Sequence, residues 1–116
     1  MKSAKDPRHI RRLKLVRELF ASSFTNQPIS SDARKILANA HNLDEKIKEA
    51  APAWPIERLN KIDLAILRLA VYELKERKTP PKVVIDEAVE IAKTYGSEST
   101  PAFVNGVLGT ILEKIK

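Results

Sequence analysis

The sequence contains no cysteine, only two histidines and only three glycines. The absence of cysteine excludes disulfide bonds, a thiol nucleophile and zinc or iron–sulfur sites with cysteine ligands. His9 and His41 lie far apart in the chain, and neither has a second histidine near it, so the sequence offers little for a histidine-centred catalytic site. The glycines stand at positions 96, 106 and 109, which leaves no glycine-rich phosphate loop. We therefore predict a protein that is not an enzyme and has no metal or cofactor.

Long hydrophobic runs are also missing. The longest apolar stretch, residues 64–72, is interrupted by Arg68 and is shorter than the roughly 20 residues of a membrane span. The basic N-terminus is not followed by the apolar run of about 7–15 residues that a signal peptide requires. These absences predict a cytoplasmic protein with no membrane partner. We interpret Arg68 as structural, held by a buried acid or by backbone carbonyls.

Positive charge is concentrated at the N-terminus. The formal net charge is +6, and residues 1–18 carry seven basic side chains against two acidic ones. The rest of the chain, with fourteen basic and thirteen acidic side chains, is close to neutral. A cationic cluster on a neutral body is typical of a protein that binds a polyanion. Charge alone favours nucleic acid, while a solvated arm, a membrane surface or an acidic protein remain alternatives.

Hydrophobic periodicity predicts helices throughout and almost no strand. The predicted architecture is an all-α bundle of five to six helices with short connections. Capping and proline signals place the helices at residues 7–24, from a cap at Ser30, Ser31 or Asp32 to 40, 42 or 44 to 51, 55–77, 81–95 and 99 or 100 to 115. The helix at 55–77 is apolar almost all round, which predicts a central position. Gly96 is expected to end the following helix in a left-handed conformation.

Three ordered motifs in the C-terminal half carry a family resemblance. They are ERLNKIDLAILRLAVYEL at residues 57–74, PKVVIDEAVEIAK at 81–93 followed by YGSE at 95–98, and FVNGVL at 103–108. Together with the arginine-rich start of the first helix, they resemble the NusB transcription antitermination family. The resemblance implies an all-α fold of two packed helical subdomains, here residues 1–53 and 54–116 of one RNA-binding domain.

The same resemblance implies a function. Family members bind the boxA element of single-stranded nascent RNA together with the small-subunit ribosomal protein NusE. With RNA polymerase and other Nus factors, this complex promotes read-through of terminators, notably in ribosomal RNA operons. The alternative is a helical protein–protein adaptor or homodimer whose basic arm binds RNA only non-specifically. The sequence leaves open whether the chain is a monomer or a homodimer.

The resemblance also implies site residues. Those expected to contact RNA are Lys2, Lys5, Arg8, Arg11, Arg12, Ser99 and Phe103. Those expected on the helix that faces NusE are Glu57, Asp63 and Glu73. For Ser99 a plain capping role is the alternative, for Phe103 a core role, and for the acids solvated or helix-pairing roles. The segment between the first and central helices is shorter than is usual in the family.

Overall fold

The computed structural model describes residues 6–115. Over this range the chain forms six α-helices and one short 3₁₀ turn, with no strand. The elements are α1 (Pro7–Ser22), α2 (Ser31–Ala38), α3 (Ala40–Ala50), a 3₁₀ turn (Ile56–Arg58), α4 (Lys61–Glu76), α5 (Pro81–Tyr95) and α6 (Thr100–Ile115). The predicted all-α bundle of five to six helices is confirmed. None of these helices is long and apolar enough to cross a membrane.

Local capping chemistry sets the helix starts near the N-terminus. The side chain of Asp6 accepts a hydrogen bond from the Arg8 backbone N–H at 2.8 Å, and Pro7 occupies the first turn. Ser30 caps α2 by accepting from the Ala33 backbone N–H at 3.2 Å. The Glu18 carboxylate in turn accepts from the Ser30 backbone N–H and hydroxyl at 2.8 and 2.9 Å. The cap of α2 is therefore tied to α1.

Helix α4 is central, as its apolar circumference predicts. It contacts every other α-helix of the bundle, and α5 and α6 pack closely on each other beside it. The fully buried large side chains of the core come from all six helices; among them are Val16, Ile36, Leu43, Ile47, Ile66, Leu67, Val71, Val84, Ile91, Val104 and Leu108. One hydrophobic core therefore holds the whole bundle together.

The predicted helix at residues 55–77 is wrong at its start. Residues Ile56–Arg58 form the 3₁₀ turn, Leu59 is extended with φ −69° and ψ 143°, and α4 begins only at Lys61. A 3₁₀ turn repeats every three residues, so Ile56 and Leu59 show the same spacing as successive turns of an α-helix. The break turns Leu59 into the core, where it is buried.

The prediction of a left-handed Gly96 is also wrong. Gly96 has φ −87° and ψ −177°, which is extended backbone, whereas Arg77 at the end of α4 adopts the left-handed conformation with φ 60°. Space explains glycine at position 96, because a Cβ there would lie 2.5 Å from the Cβ of Thr100. The α5–α6 connection can close this tightly only without a side chain at that position.

Arg68 has the structural role expected from the sequence. Its Nε and terminal nitrogen donate to the two carboxylate oxygens of Asp44 at 2.9 and 2.7 Å. This two-point pair is mostly shielded from solvent and joins α4 to α3. The arginine interrupts the apolar run because it pins the short third helix onto the central one.

Candidate nucleic-acid interface

Two of the predicted RNA-binding arginines project from the start of α1 into solvent. The Arg8 side chain is 82% exposed and, among residues 6–115, pairs only with Asp6, whose pKa its hydrogen bonds hold below the ordinary value. Arg11 donates to Asp32 of α2 at 2.9 Å, and both partners are exposed. Such exposed pairs are weak and readily exchange for phosphate. Lys2 and Lys5, which were also predicted to contact RNA, lie outside the described residues.

Arg12 lies one turn beyond Arg8 in α1, where α4 and α5 cover it. Its side chain is 7% exposed and donates to both carboxylate oxygens of Glu73 at 2.8 and 2.9 Å and to Glu87 at 3.0 Å. His9 lies 3.2 Å from the same Glu87 carboxylate. These four residues form what we call the buried charge cluster, which joins α1, α4 and α5. The hydrogen bonds that Arg12 donates to Glu73, above all, raise the pKa of Arg12.

The burial of Arg12 and Glu73 bears on two expectations drawn from the resemblance. Arg12 was expected to contact RNA and Glu73 to face NusE, but each side chain is turned toward the other inside the bundle. Their geometry suits them to hold the start of α1 on α4 and α5 rather than to reach a ligand. The sequence signal was available, because Arg12 precedes Leu15, Val16 and Leu19 at helical spacing.

Exposed cations continue along α1 beyond its first turns. Arg8, Arg11, Lys14 and Arg17 follow one another every three residues, and all four are exposed. Because each step of three residues falls about 60° short of a full turn, the four side chains wind about half-way round α1. We call this set the cationic face. A terminal nitrogen of Arg17 donates to the hydroxyl of Tyr95, in the last turn of α5, at 2.7 Å. The cationic face therefore leads from the N-terminus of α1 to the α5–α6 connection.

A crevice of about 300 Å³ borders the cationic face between α1, α2 and the α4–α5 connection. Arg8 and Arg11 line it together with Lys35 of α2 and Lys78, which follows α4. The sequence analysis did not single out these two lysines, because they lie far from α1 in the chain. Arg12 and three acids, Asp32, Glu73 and Glu76, also line the crevice; its five cations outnumber the acids, and this excess attracts a phosphate backbone.

Ser99 and Phe103 lie at the start of α6, at the far end of α4 from the buried charge cluster. Ser99 is exposed, and Thr100 beside it is fully buried. The Thr100 hydroxyl accepts from the Ser97 backbone N–H at 3.0 Å and donates to Asp63 at 2.9 Å. Burial raises the pKa of Asp63, while the Thr100 hydrogen bond opposes the shift.

Phe103 packs against the core and against Trp54, the single tryptophan of the sequence. The two rings are 5.9 Å apart in an edge-to-face arrangement. Trp54, Arg58 and Asn60 were missed by the sequence analysis, because no spacing in the sequence links them to the start of α6. Glu57, on the 3₁₀ turn beside them, is exposed, as a partner-facing acid must be. No group of three or more metal-ligating side chains occurs in residues 6–115.

Comparisons with known proteins place the fold in a family. The sequence model of the NusB family matches residues 10–113. The transcription antitermination protein NusB of Roseiflexus castenholzii is 51% identical over 81 residues, a match that spans 67% of this chain and 57% of that relative. Its counterpart in Chloroflexus aggregans is 42% identical over 101 residues, spanning 78% of this chain and 67% of the relative.

Solved structures agree with this placement. The structure of T. maritima NusB superposes with a TM-score of 0.81 at 34% identity and covers 95% of this chain and 93% of its own. A chain from the crystal structure of a plectonemic RNA supercoil has a TM-score of 0.69 at 23% identity, a likeness of fold alone. The family model, the curated relatives and the helical superposition lead to one conclusion: this chain belongs to the NusB family.

Proposed function

We propose that this chain is a transcription antitermination factor that binds boxA-type single-stranded RNA together with the ribosomal protein NusE. In this role it promotes read-through by RNA polymerase, with other Nus factors, notably in ribosomal RNA operons. Membership of the NusB family supports the proposal, because the curated relatives are transcription antitermination proteins. The observation that carries it is the cationic face, whose side chains are exposed and weakly paired.

The roles of the predicted residues divide by exposure. Arg8 and Arg11 contact phosphates directly, and Lys2 and Lys5 add to the attraction. Arg12 contributes by holding α1 in place through Glu73. Ser99 and Phe103 form a second RNA contact at the start of α6.

NusE meets the chain at the 3₁₀ turn and the start of α4, where Glu57 is exposed and Asp63 lies just beneath the surface. Acids there suit a basic ribosomal protein.

The experiment is fluorescence anisotropy of a labelled boxA-type RNA and its scrambled version across a salt series, with and without NusE. We expect the authentic sequence to bind more tightly and NusE to strengthen that preference. Each phosphate contact to single-stranded RNA contributes about −0.7 to the slope of log affinity against log salt. The double variant Arg8→Ala with Arg11→Ala should therefore flatten the slope by about 1.4.

The matched control removes two positive charges elsewhere. Lys48 of α3 and Lys114 of α6 are exposed and lie on helices other than α1. The double variant Lys48→Ala with Lys114→Ala should leave the slope unchanged. If both double variants flatten the slope equally, only net charge matters and the cationic face is not the interface. Equal binding of both RNAs, indifferent to NusE, would favour an adaptor that binds RNA only non-specifically.

A further inference from the structure

Trp54 is unusually open to solvent for a tryptophan. It lies between Ala53 and Pro55 in the connection before the 3₁₀ turn, and its side chain is 56% exposed. Its only ring contact within residues 6–115 is the edge-to-face pair with Phe103. An edge-to-face pair leaves both faces of one of its two rings clear of the other. Trp54 therefore offers apolar ring surface that the folding of residues 6–115 does not use.

The pair forms the wall of a groove of about 300 Å³, which we call the aromatic groove. Its other lining residues are polar or charged, apart from Leu59; they are Arg58, Asn60, Asp63, Ser97 and Ser99. The Arg58 side chain makes no ion pair or hydrogen bond within residues 6–115. Aromatic walls with a polar floor and an available cation are suited to a flat, polar and anionic ligand.

The floor of the aromatic groove also contains an available acceptor. One carboxylate oxygen of Asp63 accepts from Thr100, and none of the described residues donates to the other. Within residues 6–115 no side-chain oxygen or nitrogen is both fully buried and without a partner, so this second oxygen retains access to solvent. A carboxylate in this position accepts a hydrogen bond from an N–H or amino group at the edge of a base. Asp63 then faces RNA from beneath the surface, and the exposed Glu57 remains the acid that faces NusE.

We infer that the aromatic groove binds one unstacked base of single-stranded RNA, with Trp54 as the stacking platform. The inference rests on the proposed function and deepens it, because it assigns an unstacked base, and Trp54 as its partner, to the second RNA contact at the start of α6. Tyr95, to which Arg17 donates, and Ser97, which lines the groove, are two residues apart in the chain, so the α5–α6 connection lies next to both surfaces. A strand that follows the cations of α1 toward the α5–α6 connection arrives at this groove.

Trp54 itself provides the measurement. It is the only tryptophan, so fluorescence excited where the two tyrosines do not absorb reports on this groove alone. Titration with unlabelled boxA-type RNA should quench Trp54, with the same midpoint as the anisotropy measured on labelled RNA. Trp54→Leu should weaken RNA binding by about five- to 100-fold, as expected when one base loses its stacking partner. Trp54→Phe should restore most of the affinity, because it restores an aromatic face.

Phe24 supplies the matched control. It is 60% exposed and makes an edge-to-face pair with Phe20 at 5.0 Å, but it lies at the end of α1, away from the aromatic groove. Phe24→Leu should leave RNA affinity unchanged. Far-UV circular dichroism should be the same for all three variants, because neither Trp54 nor Phe24 belongs to the buried core.

The outcomes separate this inference from the proposed function. If RNA binds with its salt slope intact but neither quenches Trp54 nor responds to Trp54→Leu, the base site is refuted and the proposed function stands. If Trp54 responds to NusE but not to RNA, the groove is a protein contact and the inference is likewise refuted. If no RNA binds at low salt, both fail together.

Discussion

The two ends of α4 bury carboxylates in opposite ways. Near its C-terminus, Glu73 meets Arg12 inside the buried charge cluster, where every acid faces a cation or a histidine. Near its N-terminus, Asp63 is buried against the neutral hydroxyl of Thr100. The two acids are ten residues apart, about 15 Å along the helix axis. The charge-paired end holds α1, which carries the cationic face, on α4 and α5. The other end holds a less stabilised charge beneath the aromatic groove.

The largest expected effect comes from breaking the charge-paired end. Arg12→Ala removes three charge-assisted hydrogen bonds and leaves Glu73 and Glu87 buried without their guanidinium partner. Removing one member of a buried pair costs about 3–5 kcal/mol, so the free energy of unfolding at neutral pH should fall by that amount. Urea unfolding followed by circular dichroism measures the change.

Arg11→Ala is the control for that prediction. Arg11 is the neighbouring residue and also pairs with an acid, but both side chains are exposed. Exposed pairs contribute at most about 1 kcal/mol, so this variant should unfold close to the wild type. Equal losses for the two variants would mean that burial does not distinguish these arginines and that the buried charge cluster has no special role.

A smaller loss of stability is expected near the N-terminus of α4, beneath the aromatic groove, where Gly96 is packed against Thr100. Gly96→Ala places a Cβ 2.5 Å from the Thr100 Cβ, so the α5–α6 connection must shift. Overpacking of this kind costs about 1–3 kcal/mol. The shift also disturbs the Thr100 hydroxyl that bonds to Asp63. Thermal unfolding should show a lower melting temperature.

The paired variant is Gly106→Ala in α6. A Cβ at Gly106 meets nothing within 4 Å, and the residue is helical and exposed. Alanine in a helix interior is favoured over glycine by about 0.5–1 kcal/mol, so this variant should be slightly more stable than the wild type. Because the two substitutions are expected to change the stability in opposite directions, comparing them tests the packing at Gly96. If Gly96→Ala were also neutral or stabilising, the close approach would be absent.

The sequence predicted what local rules determine. Ser30 was among the three candidate caps of α2 because capping depends on a few neighbouring residues, and residues 81–95 were bounded correctly by Pro81 and Gly96, although Gly96 is not left-handed. It did not separate Arg11 from Arg12, since adjacent arginines carry the same charge and only their packing differs. It also missed Trp54, because the aromatic groove joins residues from separate parts of the chain and no periodicity links them.

The smallest expected effect concerns Asp63 itself. Burial raises its pKa above the ordinary 3.8, so the folded state holds a proton that the unfolded state releases between the two pKa values. The wild type should therefore gain stability from this group as pH falls through the raised pKa, and the gain should be complete below about 3.8. Asp63→Asn keeps an oxygen to accept from Thr100 but carries no charge at neutral pH.

We therefore expect Asp63→Asn to equal or exceed the wild type in stability at pH 7, by no more than about 1 kcal/mol. The advantage should shrink as the pH falls and the wild-type carboxyl is protonated. Glu57→Gln is the matched control, because Glu57 is exposed on the preceding 3₁₀ turn and should change stability at no pH. Urea unfolding of the three proteins across a pH series measures the difference. A marked loss of stability in Asp63→Asn at pH 7 would mean that the ionised carboxylate is stabilising, and that the two ends of α4 bury charge in the same way after all.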